Sequence, residues 1–79
     1  MNVNVLFFAS LREAADTRQL ELSLENATTL RQLAERLEQD YQGLSLRGSL
    51  CAVNERYADP EHLLNEGDTV AFFPPVSGG

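Results

Sequence analysis

The sequence has one cysteine and one histidine, and this scarcity excludes two common ways of stabilising a small protein. Cys51 has no second cysteine with which to form an internal disulfide, so nothing points to an oxidising compartment. Cys51 and His62 do not make a set with the spacing of zinc ligands, and no structural metal is expected. At an inward position of a predicted strand, Cys51 is interpreted as a small buried residue in preference to a persulfide relay.

Basic residues are also scarce. Six arginines and no lysine stand against twelve acids, which gives a formal net charge of −6. Nucleic acids and anionic lipids bind cationic surfaces, so neither a nucleic acid nor a membrane is expected as a partner. An acidic chain suits a basic protein partner better. Without lysine, the chain offers no side-chain amine that would capture an activated acyl group.

The N-terminal segment lacks the marks of a targeting or membrane-spanning sequence. The apolar run in "MNVNVLFFASL" follows no basic region and is too short to cross a bilayer. We therefore expect a soluble, cytoplasmic protein.

What the chain does have is clear periodicity, with 43% hydrophobic residues in a length suited to one domain. Alternating residues predict strands at 2–8, 18–25, 50–54 and 69–73, with a short edge segment at 55–58. The segment 10–16 is a short helical turn or a loop. Leu30, Leu33, Ala34, Leu37 and Tyr41 form a helical stripe, which Thr29 and Gln32 begin as a capping box and which Gly43 is expected to stop.

This order of elements predicts an α+β fold of the ubiquitin-like β-grasp type, a mixed sheet with one main helix packed on one face. The last strand is expected beside the first, at the centre of the sheet. Residues 1–74 would form the domain and residues 75–79 an extended tail. Four acids near the predicted turns are expected to be solvated: Asp59, Glu61, Glu66 and Asp68.

One helix covers only one face of a sheet, and the alternation places apolar side chains on the other face as well. These are Leu6, Phe8, Ala52, Ala71 and Phe73, which Tyr57 of the edge segment is expected to join. With the first and last strands adjacent, Phe8 and Phe73 would lie close together on open surface. Such a patch usually marks a protein contact, whereas the alternative is that loop 43–49 folds over it.

The chain closes on "FFPPVSGG", where the only functional group after the glycines is the α-carboxylate. Pro74 and Pro75 fix φ, so the tail is expected to leave the fold stiff and projecting. Gly78 and Gly79 have no β-carbons and would pass through a channel too narrow for other residues. The carboxylate becomes an electrophile only after activation, for example as a mixed anhydride with AMP.

The whole chain resembles the small, sulfur-carrier subunits of molybdopterin synthase. The resemblance lies in "VLFFASLRE", "TLRQLAERL", "AVNERY" and "LLNEGDTVAFFPPVSGG", of which the last is the most specific. It implies that Gly79 is the glycine that is adenylated and then converted to a thiocarboxylate, with Gly78 and Ser77 before it in the tail. It also implies that Phe8, Tyr57, Phe73, Pro74 and Pro75 contact the large subunit. Arg12 matches a frequent basic position near that interface, although a plain surface or capping role fits it equally well.

The resemblance further implies the partners and the cofactor. A ubiquitin-activating-type adenylyltransferase would use Mg-ATP to activate the tail, and a sulfurtransferase would supply the sulfur. The large, catalytic subunit would transfer this sulfur to cyclic pyranopterin monophosphate, and the transferred sulfur builds the dithiolene of molybdopterin. The chain would be the sulfur-donating, non-catalytic half of an assembly of two small and two large subunits, without a permanently bound cofactor.

Three other functions remain open at this point. The diglycine end is shared with carriers for thiamin synthesis or tRNA thiolation. It is also shared with ubiquitin-like modifiers, which form isopeptide bonds with lysines of target proteins. The third alternative is an interaction module whose glycines are only a flexible end.

Overall fold

The computed structural model describes residues 1–75, and its helices and strands follow the predicted order. The strands are β1 (Asn2–Phe7), β2 (Gln19–Ser23), β3 (Leu50–Val53), β4 (Arg56–Tyr57) and β5 (Thr69–Phe73). The helices are α1 (Ser10–Ala15) and α2 (Leu30–Asp40). Segment 10–16, for which the sequence left a helical turn and a loop open, therefore forms a helix. The tail residues Ser77, Gly78 and Gly79 lie outside the described residues.

The five strands form one mixed sheet in the order β2-β1-β5-β3-β4. β5 runs parallel to β1, with Val5 opposite Val70 and Phe7 opposite Phe72. The other three pairs, β1–β2, β3–β5 and β3–β4, are antiparallel. The prediction that the last strand lies beside the first is confirmed, and with it the β-grasp arrangement.

Helix α2 covers one face of this sheet. Thr29 accepts a hydrogen bond from the backbone N–H of Gln32, and the Gln32 side chain accepts one from the Thr29 N–H, which confirms the capping box. Leu30, Leu33 and Leu37 are buried against the inward residues of the strands. Each such leucine contributes about 1.5–3 kcal/mol relative to an exposed position. The helix ends at Asp40, before Gly43, which adopts a φ of 88° in the following turn.

The inward positions are buried most deeply at the centre of the sheet. Val3, Val5, Phe7, Val70 and Phe72 are almost inaccessible to solvent. Alternation in β2 also places Leu20 and Leu22 inward, but they are only half-buried because β2 is an edge strand.

Loop 43–49 packs on the helix side of the sheet. Leu44 and Leu46 are buried in the same core as α2, and the Leu46 N–H donates to the Glu38 carboxylate at 2.7 Å. The alternative that this loop covers the opposite face is therefore wrong. Burial of Leu44 and Leu46 in the core beside α2 removes apolar surface from water and holds the loop on this side of the sheet.

The expectation that all four turn acids are solvated is wrong for Asp68, which is only 7% exposed. Its carboxylate accepts hydrogen bonds from the Asn54 side chain (2.9 Å) and the Asn65 N–H (2.8 Å). Asn54 in turn accepts from the Thr69 N–H. Asp68 thus joins the β3–β4 turn to the start of β5, and its charge is compensated by donors in place of water.

The other three acids are exposed, and each has a partner. Asp59 accepts from the Glu61 N–H, Glu66 accepts from the Asn2 N–H, and Glu61 forms an ion pair with Arg31.

Cys51 lies on the inward side of β3 and packs against the core. Burial raises the pKa of its thiol from 9.0 to about 11, because the thiolate is poorly solvated there. The side chain thus stays protonated at neutral pH, as expected for a small apolar residue and not for a sulfur relay.

Replacing Asp68 with alanine leaves the Asn54 side chain and the Asn65 N–H without their acceptor. We expect the free energy of unfolding to fall by about 1–3 kcal/mol, because two part-buried hydrogen bonds to a charged acceptor are lost. Urea denaturation measures it. Glu25→Ala removes an exposed acid and serves as the control; equal effects of the two substitutions would contradict the buried network.

Alkylation of Cys51 near pH 8 is expected to be about ten- to a hundredfold slower in the folded protein than in urea. A pKa raised by two units lowers the thiolate fraction about a hundredfold, which gives the upper end of this range. Cys51 is partly exposed, which weakens the effect of burial on the pKa and gives the tenfold lower end. Mass spectrometry of quenched samples gives both rates. Equal rates would restore the relay interpretation.

Candidate functional site

The face of the sheet opposite α2 carries a stacked pair of aromatic rings. Phe8 follows β1 directly and Phe73 ends β5, and their ring centroids are 4.6 Å apart at an interplanar angle of 11°. The Phe8 N–H donates to the carbonyl of Phe72, so the pairing of the two strands continues as far as these rings. Both side chains remain partly exposed. The predicted meeting of Phe8 and Phe73 on open surface is confirmed.

The pair borders a shallow hollow of about 660 Å³, which we call the open-face hollow. Its lining comprises Leu6, Phe8, Ala52, Asn54, Glu55, Tyr57, Thr69, Ala71 and Phe73. All six residues predicted for this face are among them. Ala52 is nevertheless buried, since its small side chain lies on a central part of the sheet, opposite Tyr57 on β4 and Ala71 on β5.

Tyr57 and Leu50 extend the apolar surface at the edge of the sheet. Tyr57 pairs with Ala52 and is 76% exposed. Leu50 pairs with Phe73, shares its face, and is 41% exposed. Sequence reasoning missed Leu50, although the alternation that placed Ala52 outward also places Leu50 outward.

Polarity changes along the open face. The aromatic pair and Leu50 lie where β5 ends. At the other end, Thr69, Asn4 and Glu21 stand side by side on neighbouring strands. The apolar half is therefore the half from which the chain leaves the sheet through Pro74, partly buried, and Pro75, exposed.

Arg12 does not line the open-face hollow. It lies in α1, which begins two residues after Phe8, and its Nε is buried without a hydrogen-bond partner among the described residues. The structure does not bring Arg12 together with Tyr57 and Phe73, and its part in an interface stays a prediction.

A larger groove of about 770 Å³ lies on the helix side, between α2 and residues 45–51. Neither ring of the aromatic pair lines this groove, which shares only Tyr57 with the open-face hollow. Within residues 1–75, no cluster of acids, histidines and cysteines is arranged to hold a metal ion. No helix in this part of the chain has the length and apolar character needed to cross a membrane.

Comparison with known proteins agrees with this geometry. The ThiS family model matches residues 5–79. The molybdopterin synthase sulfur carrier subunit of Mycobacterium tuberculosis is 39% identical over 82 residues, which cover 100% of this chain and 99% of that protein. The subunit of the same name from Escherichia coli is 41% identical over 81 residues, with 98% and 99% covered.

Solved structures give the same fold. A Pyrococcus furiosus protein provisionally assigned as molybdopterin converting factor subunit 1 superposes with a TM-score of 0.82 at 29% identity, covering 96% of this chain and 99% of that one. Small archaeal modifier protein 1 from Methanosarcina acetivorans gives 0.80 at 28%, with 99% and 96% covered. A chain in a complex of subunits 1 and 2 of molybdopterin-converting factor from Helicobacter pylori gives 0.70 at 27%, with both chains fully covered.

The open aromatic face, the prolines that follow it and the full-length similarity lead to one family. This chain belongs to the ThiS family and, within it, to the molybdopterin synthase sulfur carrier subunits.

Proposed function

We propose that this chain carries sulfur on the carboxyl group of Gly79 and delivers it to the active site of a large molybdopterin synthase subunit. The observation that carries the proposal is the position of the aromatic pair. Phe73 is both the last residue of β5 and part of the open apolar face, so a protein that covers this face also receives the chain that follows.

Loading the tail requires a better leaving group than hydroxide. In the first proposed reaction, the Gly79 carboxylate attacks the α-phosphorus of ATP and pyrophosphate is released. The product is an acyl-adenylate. The terminal sulfur of a persulfide on a sulfurtransferase then attacks the acyl carbon and AMP leaves, which gives an acyl disulfide. A thiol attacks the sulfurtransferase-side sulfur of this acyl disulfide, so that a disulfide forms on the sulfurtransferase side and the thiocarboxylate is released. A ubiquitin-activating-type adenylyltransferase would perform the first step. The first step requires ATP, and this chain has only one cysteine and so no internal disulfide. Both points favour the cytoplasm as the place of this reaction.

The described residues of this chain would position the tail. Pro74 and Pro75 restrict φ, so less conformational entropy is lost when the tail enters a channel. Four residues beyond Pro75 span at most about 14 Å when fully extended. The acceptor site of the large subunit must therefore lie within that distance of the end of the docking surface.

The large subunit would bring the positive charge. Cyclic pyranopterin monophosphate is an anion, and this chain has a net charge of −6. Basic groups that bind the phosphate are thus expected on the partner. Their positive charge would also attract this acidic chain electrostatically. The Helicobacter pylori complex of subunits 1 and 2 supports such a pairing for this chain.

A second function, covalent modification of other proteins, is favoured by the similarity to the archaeal modifier protein. An acyl-adenylate reacts with a lysine amine as well as with a sulfur nucleophile. The two functions differ in their products, because a modifier leaves adducts on many proteins and a dedicated carrier does not. Denaturing pull-down of tagged protein from cells distinguishes them.

Deleting Gly79 is expected to abolish sulfur loading and to leave the fold unchanged, since the described core lies within residues 1–75. The purified protein is incubated with ATP, the activating enzyme and a sulfur donor, and intact-mass spectrometry detects the replacement of one oxygen by sulfur. Cys51→Ser should load like the wild type. A folded wild-type protein that gains no sulfur would contradict the carrier function.

Replacing Phe73 with glutamate is expected to weaken binding to the large subunit about 30-fold or more, since it places a charge at the centre of an apolar contact. Titration calorimetry measures the affinity, and circular dichroism checks the fold. Leu63→Glu is the matched control, because Leu63 is 57% exposed and does not line the open-face hollow. Equal affinities for Phe73→Glu and wild type would refute the docking surface.

A further inference from the structure

In the turn between β3 and β4, Glu55 adopts a backbone conformation that is unfavourable for residues other than glycine. Asn54 and Glu55 form a two-residue connection, with φ values of 51° and 71°. Positive φ at both central positions is the pattern of a type I′ turn, for which Asn-Gly is the preferred sequence. Asn54 fits that preference. Glu55 stands where glycine would be free of strain, so the side chain is retained at a cost to stability.

Glu55 does not offset this cost within the described structure. Among residues 1–75 its carboxylate forms no hydrogen bond and no ion pair, and the residue is exposed. It is, however, one of the residues lining the open-face hollow, and the only charged one among them. The hollow therefore presents an aromatic pair and a single unpaired carboxylate to whatever covers it.

We infer that Glu55 is a recognition residue, whose carboxylate pairs with a basic side chain of the large subunit when that subunit covers the open-face hollow. The inference rests on the proposed function and names the chemistry of one contact within it. Charge complementarity supports it, because the partner that handles an anionic substrate is the basic member of the pair.

Such a contact would set the orientation of docking. The aromatic pair alone is an apolar surface that tolerates rotation of the partner in the plane of the sheet. A second, charged contact on the far side of the hollow fixes that rotation. The partner's channel is then aligned with the direction in which Pro74 and Pro75 leave β5.

The test compares neutral variants in calorimetric titrations with the large subunit of the same organism. Glu55→Gln keeps the size of the side chain and removes its charge, and we expect the Kd to rise about five- to tenfold at about 0.1 M salt. The difference should shrink to about twofold at about 1 M salt, where the Debye length is about 3 Å. Glu21→Gln changes the net charge equally, on the same face but outside the hollow, and should bind like the wild type.

A second variant, Glu55→Gly, separates recognition from stability. Relief of the positive φ is expected to raise the Tm by about 4–8 °C, while the affinity falls as much as in Glu55→Gln. A structural role would move stability and binding in the same direction, and a recognition role moves them in opposite directions.

The inference is overturned if Glu55→Gln binds as tightly as Glu21→Gln, or if Glu55→Gly fails to raise the Tm. It is also overturned if the carrier alone sediments as a dimer that Glu55→Gln dissociates, because a second copy would then occupy the hollow. Phe73→Glu is titrated alongside. Absence of binding by the wild type would refute the proposed function itself, whereas binding that depends on Phe73 and not on Glu55 refutes only this inference.

Discussion

The parallel pairing of β1 with β5 determines where everything else in this protein lies. It places the strand that follows the last turn at the centre of the sheet, between β1 and β3. Because the register sets Phe7 opposite Phe72, the next residues of both strands, Phe8 and Phe73, stack on the opposite face. The inner pair, Phe7 and Phe72, is itself stacked within the core. One register thus produces both the packed interior and the exposed aromatic contact.

The division of the sheet into a covered and an open face follows from having a single long helix. α2 and loop 43–49 both lie on the same side, where burial of their leucines stabilises them. The open side keeps an apolar half beside the exit of the chain and a polar half away from it. A partner that buries the apolar half is therefore held next to the prolines, as the proposed transfer of sulfur from Gly79 requires.

Much of the fold could be predicted from the sequence, because β1, β2, β3 and β5 show a period of two and α2 shows a period of 3.6 with its capping box. The meeting of Phe8 and Phe73 also followed from alternation once the first and last strands were taken as neighbours. Other features depend on contacts distant in the sequence. Asp68 looks like an ordinary turn acid until the fold brings the Asn54 side chain to it. The positive φ of Glu55 is likewise visible only in the structure, since the dipeptide lacks the glycine that signals such a turn.

The central position of β5 also has a consequence for folding. Until β5 inserts, the β1–β2 pair and the β3–β4 pair have no strand between them to complete the sheet. The pairing of β5 with β1 joins strands that are far apart in the sequence, and such pairings slow folding because loop-closure entropy is lost before the contacts form. The strand that completes the sheet is the same one that leads into the tail. A chain in which β5 is unpaired therefore lacks the stacked Phe8–Phe73 contact, so the proposed docking requires an intact sheet.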